Sequence, residues 1–157
     1  MVLVTSALAT QLESSWLASE GRSLPSSAAE SADAFAKAVA NWFSAAQAGP
    51  SPCATAMARK AQLMGQAASA LAAQSAPGAG SALASAVAAY MTGQSFPPGV
   101  ASAPIAVPAA AAAFTAVFAN LTAPTSARAN QTAAACHLLA VSTIVVMPPP
   151  GPPTPVS

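Results

Sequence analysis

The sequence contains very little charge. Only 6% of its 157 residues are Asp, Glu, Lys or Arg, whereas ordinary soluble domains contain about 25%. From Ala61 to Ala127, and again from Ala129 to Ser157, there is no charged side chain at all. Because a freely soluble surface usually carries charges of both signs, three kinds of protein fit this pattern. They are a membrane protein, a disordered low-complexity chain, and a subunit whose neighbours cover it.

The few basic residues exclude a nucleic-acid partner. The net charge is +1, and a surface that binds phosphates needs clustered Lys and Arg. The basic residues of this chain are instead scattered, at Arg22, Lys37, Arg59, Lys60 and Arg128.

Groups that carry chemistry are equally scarce. The chain has one histidine, His137, and two cysteines, Cys53 and Cys136, whereas a zinc site needs three or four ligands. His137 directly follows Cys136, and neighbours on a helix point roughly 100° apart, so the two do not face each other as a nucleophilic pair. No P-loop, G-x-G-x-x-G or G-x-S-x-G motif is present. The sequence therefore predicts no enzyme activity, catalytic residue, metal, cofactor or small-molecule substrate.

Hydrophobic residues make up 54% of the chain, which argues against disorder. A membrane-spanning helix needs about 20 consecutive apolar residues, and the best candidates are 104–121 and 132–147. The first begins with two prolines and is mainly alanine, and the second is short and contains His137. Neither is flanked by clustered basic residues that would set an orientation. The sequence thus disfavours a membrane location, and a membrane-active lysis or pore protein stays as an alternative.

Apolar spacing and turn residues predict an all-α fold, an alanine-rich bundle of about five or six helices in one domain over 1–147. The second helix is the best specified, because Ser27 and Glu30 form a capping box and Gly49–Pro50 ends it. We expect 94–107 to be an irregular loop. The predicted helices are Thr5–Ser19, Ser27–Ala46, Ser51–Gln74 with Pro52 in its first turn, Ser81–Thr92, Pro108–Leu121 and Ser126–Ala140. The predicted inward side of the third helix is Cys53, Met57, Met64, Ala68 and Leu71.

The last residues differ in character from the helical part. Residues 141–147 are rich in β-branched side chains and predict a short strand. Residues 148–157 predict an extended, proline-rich arm that lies along a neighbouring subunit, since polyproline loses little entropy on ordering. The predicted interaction residues are Val141, Ile144, Val145, Val146, Pro148, Pro149, Pro150, Pro152 and Pro153.

The last third, about 109–157, resembles small virion proteins of tailed bacteriophages. The resemblance lies in an alanine-rich helix with Phe114 and Phe118, a helix with small residues at 133–135, and the apolar run Thr143–Val146 leading into Pro148–Gly151. It implies a structural role in a tail, baseplate or neck, and it transfers no catalytic or binding residue.

The resulting hypothesis is a structural subunit of the virion, made in the host bacterial cytoplasm. Its partners are other virion structural proteins and copies of itself. An adaptor that presents the polyproline tail is a further alternative. The helical secretion substrates of mycobacteria do not fit, because their Trp-x-Gly turn is absent: Leu17–Ala18 follow Trp16, and Phe43–Ser44 follow Trp42.

Overall fold

The computed structural model describes residues 2–17, 27–149 and 151–157. Within these ranges the chain is mostly helical, with small antiparallel sheets of short strands. The helices are α1 Thr5–Ser15, α2 Ala28–Phe43, α3 Lys60–Leu71, α4 Ala76–Met91, α5 Val107–Ala119 and α6 Thr125–Val141. The strands are β1 Gln47–Ala48, β2 Ser51–Pro52, β3 Ser95–Phe96, β4 Gly99–Ala101, β5 Ile144–Val146 and β6 Thr154–Pro155.

The helices form a closed ring around the core. Each helix packs against the next one along the chain, and α6 packs back against α1. Aromatic side chains fill the interior near the ends of α2 and α4: the Phe43 ring lies 5.8 Å from that of Tyr90 and 6.2 Å from that of Phe96. Each of these large side chains buries more apolar area than the alanines that make up much of the remaining core.

The strands form a second ring where α2, α4 and α6 end. The pairs β1–β2, β3–β4 and β5–β6 are antiparallel hairpins, and β4 also pairs with β5. On one side Gln47 and Ser157 exchange two backbone hydrogen bonds of 2.9 Å. On the other side the Ala54 N–H donates to the Ser95 carbonyl at 2.8 Å. These bonds join the two-stranded and four-stranded sheets at both ends.

The chain consists of three structurally equivalent units. Each unit is a pair of helices followed by a β-hairpin: α1–α2–β1–β2, α3–α4–β3–β4 and α5–α6–β5–β6. In the second helix and the hairpin of each unit, equivalent positions lie 48 residues apart between the first two units and 49 apart between the last two, and buried residues coincide in this register. Three examples are Val39, Val87 and Cys136; Trp42, Tyr90 and Leu139; and Ala48, Phe96 and Val145.

The predicted helices agree best with the structure at α2. The Ser27 hydroxyl accepts a hydrogen bond from the Glu30 N–H at 3.2 Å, which confirms the predicted cap. The spacing of Val4, Leu8, Leu12 and Trp16 predicts one apolar stripe for the first helix. The last three are buried, whereas Val4, which precedes α1, is 52% exposed. The described part of this helix ends at Ser15, and the predicted end at Ser19 lies outside the described residues.

The predicted start of the third helix is too early in the sequence. Ser51–Pro52 is not helical but pairs with Gln47–Ala48, and α3 begins only at Lys60. Proline fits the first turn of a helix and the edge of a sheet equally well, and here the sheet contact decides. The predicted inward side is wrong at Met57, which is 51% exposed, whereas the other four predicted residues are partly buried against the core. The residues of α3 that are buried are Leu63, Ala67 and Ala70.

Three further boundaries differ from the predictions. Helix α4 starts at Ala76 rather than Ser81, because the Ser75 hydroxyl caps the Gly78 N–H. The predicted irregular loop over 94–107 contains the hairpin β3–β4. Helix α5 ends at Ala119, which leaves Leu121 69% exposed rather than inward.

Candidate interaction surface

The structure separates the predicted interaction residues of the β-branched run into two groups. Val141 is the last residue of α6 and is 40% exposed, and Ile144 and Val146 on β5 are 41% and 59% exposed. Val145 is fully buried, because successive side chains of a strand point to opposite faces. Val145 therefore belongs to the core, and its prediction as a contact residue is wrong.

The predicted proline arm is also wrong for its last four residues. Thr154–Pro155 pairs with β5, and the side chain of Val156 is only 2% exposed. Residues 147–149 and 151–153 thus lie between the two strands of the third hairpin, whereas the equivalent turns are only 49–50 and 97–98. Four of the predicted contact prolines are exposed there, namely Pro148, Pro149, Pro152 and Pro153. Pro150 lies outside the described residues.

The exposed β5 residues belong to a larger surface, here called the apolar patch. It consists of Val100, Ile105, Leu138, Val141, Ile144 and Val146, which are between 38% and 80% exposed. Val100 lies directly opposite Val146 across β4–β5, which places both side chains on one face. Leu138 and Val141 are three residues apart on α6 and share a helix face.

Hydrogen bonds hold the remaining segment of the patch in place. The Ser102 N–H donates to the Ile144 carbonyl at 2.8 Å. The Ala106 N–H donates to the Ser142 hydroxyl at 3.3 Å. These bonds fix the chain on both sides of Ile105 next to the end of α6 and the start of β5.

The other two units are polar or small where the third is apolar. Leu138, Val141 and Ile144 correspond to Asn41, Ser44 and Gln47 in the first unit and to Ala89, Thr92 and Ser95 in the second. Because all three units fold alike, large apolar side chains are not required here for folding. The third unit therefore carries exposed apolar surface that the fold itself does not demand.

A groove between α5 and α6 extends the patch. It has a volume of about 310 Å³. Its lining residues are Ala113, Ala116, Gln131, Ala134, Ala135 and Leu138. Grooves at the equivalent positions of the other units are more polar, and the first is lined by Gln11, Ser14, Ser15, Lys37, Ala38 and Asn41.

The side chains of the patch carry no charge. Arg128 is the one charged residue between 61 and 157, and it lies ten residues before Leu138 on α6, which is about 15 Å along the helix axis. Burial lowers the pKa of Arg128 from its usual value. A partner that covers the patch therefore removes no charged side chain of the patch from water.

Polar side chains elsewhere are used to hold the fold together. The Gln94 amide joins the end of α4 to the segment after β2: its oxygen accepts from the Thr55 hydroxyl at 2.6 Å, and its nitrogen donates to the Tyr90 carbonyl at 2.9 Å. The Arg59 guanidinium donates to the carbonyls of Ala89 and Thr92 at the end of α4. These contacts satisfy carbonyls that a helix end leaves unpaired.

Among the described residues, no cluster of three or more His, Cys, Asp or Glu side chains is placed to hold a metal ion. None of the described helices has the length and apolar character needed to cross a membrane. Compared with protein-family models, curated proteins and solved structures, the chain matches none of them.

Sequence reasoning found half of the patch and missed Val100, Ile105 and Leu138. The missed signal is the internal repeat, visible where Ala36–Ala40 reads AKAVA and Ala84–Ala88 reads ASAVA. Aligning the third unit in the same register would have shown the exchange of polar for apolar residues. The uniform background of alanine hides this repeat.

Proposed function

We propose that the protein is a structural subunit of a multi-subunit assembly, in particular a virion component of a tailed bacteriophage, and that it acts by packing against other subunits. The observation that carries the proposal is the apolar patch, which lies on α6 and β5 of the third unit and includes Val100 on the adjacent strand β4. Exposed apolar surface that is contiguous and not needed for folding is typical of a protein contact.

The distribution of charge supports the same proposal. A binding surface without charges can be covered by a neighbour without burying an unpaired ion, which is costly. The specific assignment to a phage particle comes from the resemblance of residues 109–157 to virion proteins. It makes the patch a contact with other virion proteins or with a second copy.

Mass spectrometry of purified particles tests this proposal. The chain should be found in particles banded on a density gradient from a lysate in which it is produced. A variant with L138N, V141S and I144Q, which introduces the residues of the first unit, should be depleted at least tenfold from the particles. The variant L121S, which removes an exposed apolar residue outside the patch, should be incorporated normally.

Two results would contradict the proposal. One is the absence of the chain from the particles although it is present in the lysate. The other is recovery of the chain with membranes after carbonate extraction, which would favour the membrane-active alternative.

A further inference from the structure

We propose that Asn120 is a glycosylation site of the folded chain, at which a glycosyltransferase attaches a sugar to the side-chain amide. Residues 120–122 read Asn-Leu-Thr, and Asn-x-Ser/Thr, with any middle residue except proline, is the acceptor motif for N-linked sugars. The motif is short, so the way in which the fold presents it decides whether a transferase can use it. This inference goes beyond the proposed function and does not rest on it.

The turn after α5 exposes all three residues of the motif. Asn120 lies just outside the C-terminal end of α5, with backbone torsions of φ −108° and ψ 75°. Asn120 and Thr122 are exposed, and the Leu121 side chain between them is 69% exposed. A transferase can therefore reach the Asn120 amide without unfolding a helix.

The two side chains that define the motif lie on the same side of this turn. The Thr122 hydroxyl donates a hydrogen bond of 3.1 Å to the Asn120 Oδ1. This bond engages only the oxygen of the carboxamide. The Nδ2 atom, which would receive the sugar, donates no hydrogen bond within the part of the chain that the structure describes. One transferase pocket can therefore bind the hydroxyl and the free Nδ2 together.

A second occurrence of the motif provides an internal comparison. Residues 130–132 read Asn-Gln-Thr and lie within α6, where side chains two residues apart do not share a face. Thr132 is fully buried, and its hydroxyl donates to the Arg128 carbonyl at 2.8 Å. The Asn130 Nδ2 is also engaged, since it donates to the Ser126 carbonyl at 2.8 Å. The folded chain thus presents Asn120 to a transferase and withholds Asn130.

The fold does not require the motif at 120–122. In the second unit the helices α3 and α4 are joined by residues 72–75, which read Ala-Ala-Gln-Ser. That connection turns the chain between two equivalent helices without asparagine or threonine. An asparagine at a helix end and its bond to Thr122 also stabilise a turn, and the variants below separate this role from glycosylation.

The transfer needs an activated sugar, a glycosyl diphosphate, as its co-reactant. Nδ2 of Asn120 forms a bond to the anomeric carbon C1 of the sugar. The bond between C1 and the phosphate oxygen breaks, and its electron pair leaves with the diphosphate. Nδ2 gives one of its two protons to a base of the transferase, so the product is a secondary amide. The diphosphate is carried by a nucleotide or by a membrane lipid.

Peptide mapping of the chain from the cells in which it is naturally produced tests the proposal. Trypsin cleaves after Lys60 and Arg128, so Asn120 lies in fragment 61–128 and Asn130 in fragment 129–157. Mass spectrometry should find 61–128 heavier by one or more sugar residues and 129–157 at the mass of its sequence. An unmodified 61–128 would overturn the proposal. Sugar on both fragments would show that transfer precedes folding, which overturns it as well.

Single replacements assign the sugar to the motif rather than to another residue of the fragment. N120Q removes the acceptor and T122A removes the hydroxyl, so each should abolish the added mass. T122S keeps the hydroxyl and should retain the sugar, and N130Q should change nothing. Far-UV circular dichroism checks that each variant is folded, and the mapping itself needs no variant. Retention of the sugar in N120Q or in T122A would refute the proposal.

Incubation of the folded, unglycosylated chain with fractions of the same cells identifies the carrier of the sugar. Addition of mass to 61–128 by the soluble fraction alone assigns the sugar to a nucleotide diphosphate. Addition by washed membranes alone assigns it to a lipid diphosphate. No addition by the two fractions combined would contradict transfer onto the folded chain.

Discussion

Gly80 allows α4 and α5 to pack unusually closely, and its replacement gives a sharp test of the helix ring. A Cβ added to Gly80 would lie 2.5 Å from the Thr115 backbone nitrogen and 2.7 Å from the Thr115 Cα. Ordinary contacts of this kind are 3.4–4 Å, so the two helices would have to move apart. The equivalent positions in the other units are Ala32 and Ala129.

The expected change in the free energy of unfolding follows from two opposing effects. Forcing a methyl group into a packed backbone contact costs about 3 kcal/mol, and the better helix propensity of alanine returns about 1 kcal/mol. Gly80→Ala should therefore lower the free energy of unfolding by about 2 kcal/mol, equivalent to a drop in Tm of about 4–8 °C.

Gly65 provides the matched control. It lies in α3, and a Cβ there would meet nothing within 4 Å. Gly65→Ala should therefore raise the free energy of unfolding by about 0.5–1 kcal/mol, through helix propensity alone. Thermal and urea unfolding followed by circular dichroism measure both variants. If Gly80→Ala is as stable as Gly65→Ala, the close approach of α4 and α5 is wrong.

Three further predictions concern single contacts. Burial raises the pKa of the Cys136 thiol from 9.0 to about 12, so the fold favours the neutral thiol; its contribution to stability is complete below pH 9 and is lost as pH rises towards 12. Cys136→Ala should flatten this alkaline decline in urea titrations, and an unchanged decline would contradict the assignment. Tyr90→Phe removes the 2.9 Å hydrogen bond from the phenol to the buried Ala56 carbonyl. It should lower the free energy of unfolding, measured in urea, by about 1–2 kcal/mol. A decrease below about 0.5 kcal/mol would argue against this bond. Deleting 154–157 removes the buried side chain of Val156 from the core and should lower the free energy of unfolding by at least about 1.5–3 kcal/mol. An adaptor tail that only presents prolines could instead be removed without changing Tm.

Local signals determined which elements the sequence could predict. The start of helix α2 was predicted well because its cap and its apolar face lie within the helix or next to it. Its predicted end was wrong, since α2 ends at Phe43 and Gly49–Pro50 forms the turn between β1 and β2. The segment after Gly49 was not predicted well either, because Pro52 is compatible with a helix start or a strand edge. The choice depends on pairing with Gln47, and a local pattern does not contain that contact. The same holds for the hairpin β3–β4, which the prolines at 97–98 made look irregular.

The interaction surface was predictable only in part for a related reason. The β-branched run identified Ile144 and Val146, but Val145 lies between them on the opposite face of β5. Leu138 on α6 looked like any other apolar helix residue. Its exposure is informative only when it is compared with Asn41 and Ala89, the equivalent residues of the other two units. That comparison requires the register between units, which the fold reveals.

The joining of the two small sheets has a consequence for a chain with so little charge. Short neutral segments rich in valine and isoleucine, such as β5, are the kind that stack between molecules into fibrils. Proteins commonly prevent this with lysines on exposed strand edges, a protection that this sequence does not provide near β5. Here the outer strands are already paired within the same molecule. Gln47 bonds to Ser157 on one side, and Ala54 bonds to Ser95 on the other. Molecules can then meet through side chains while their backbones stay unavailable to one another.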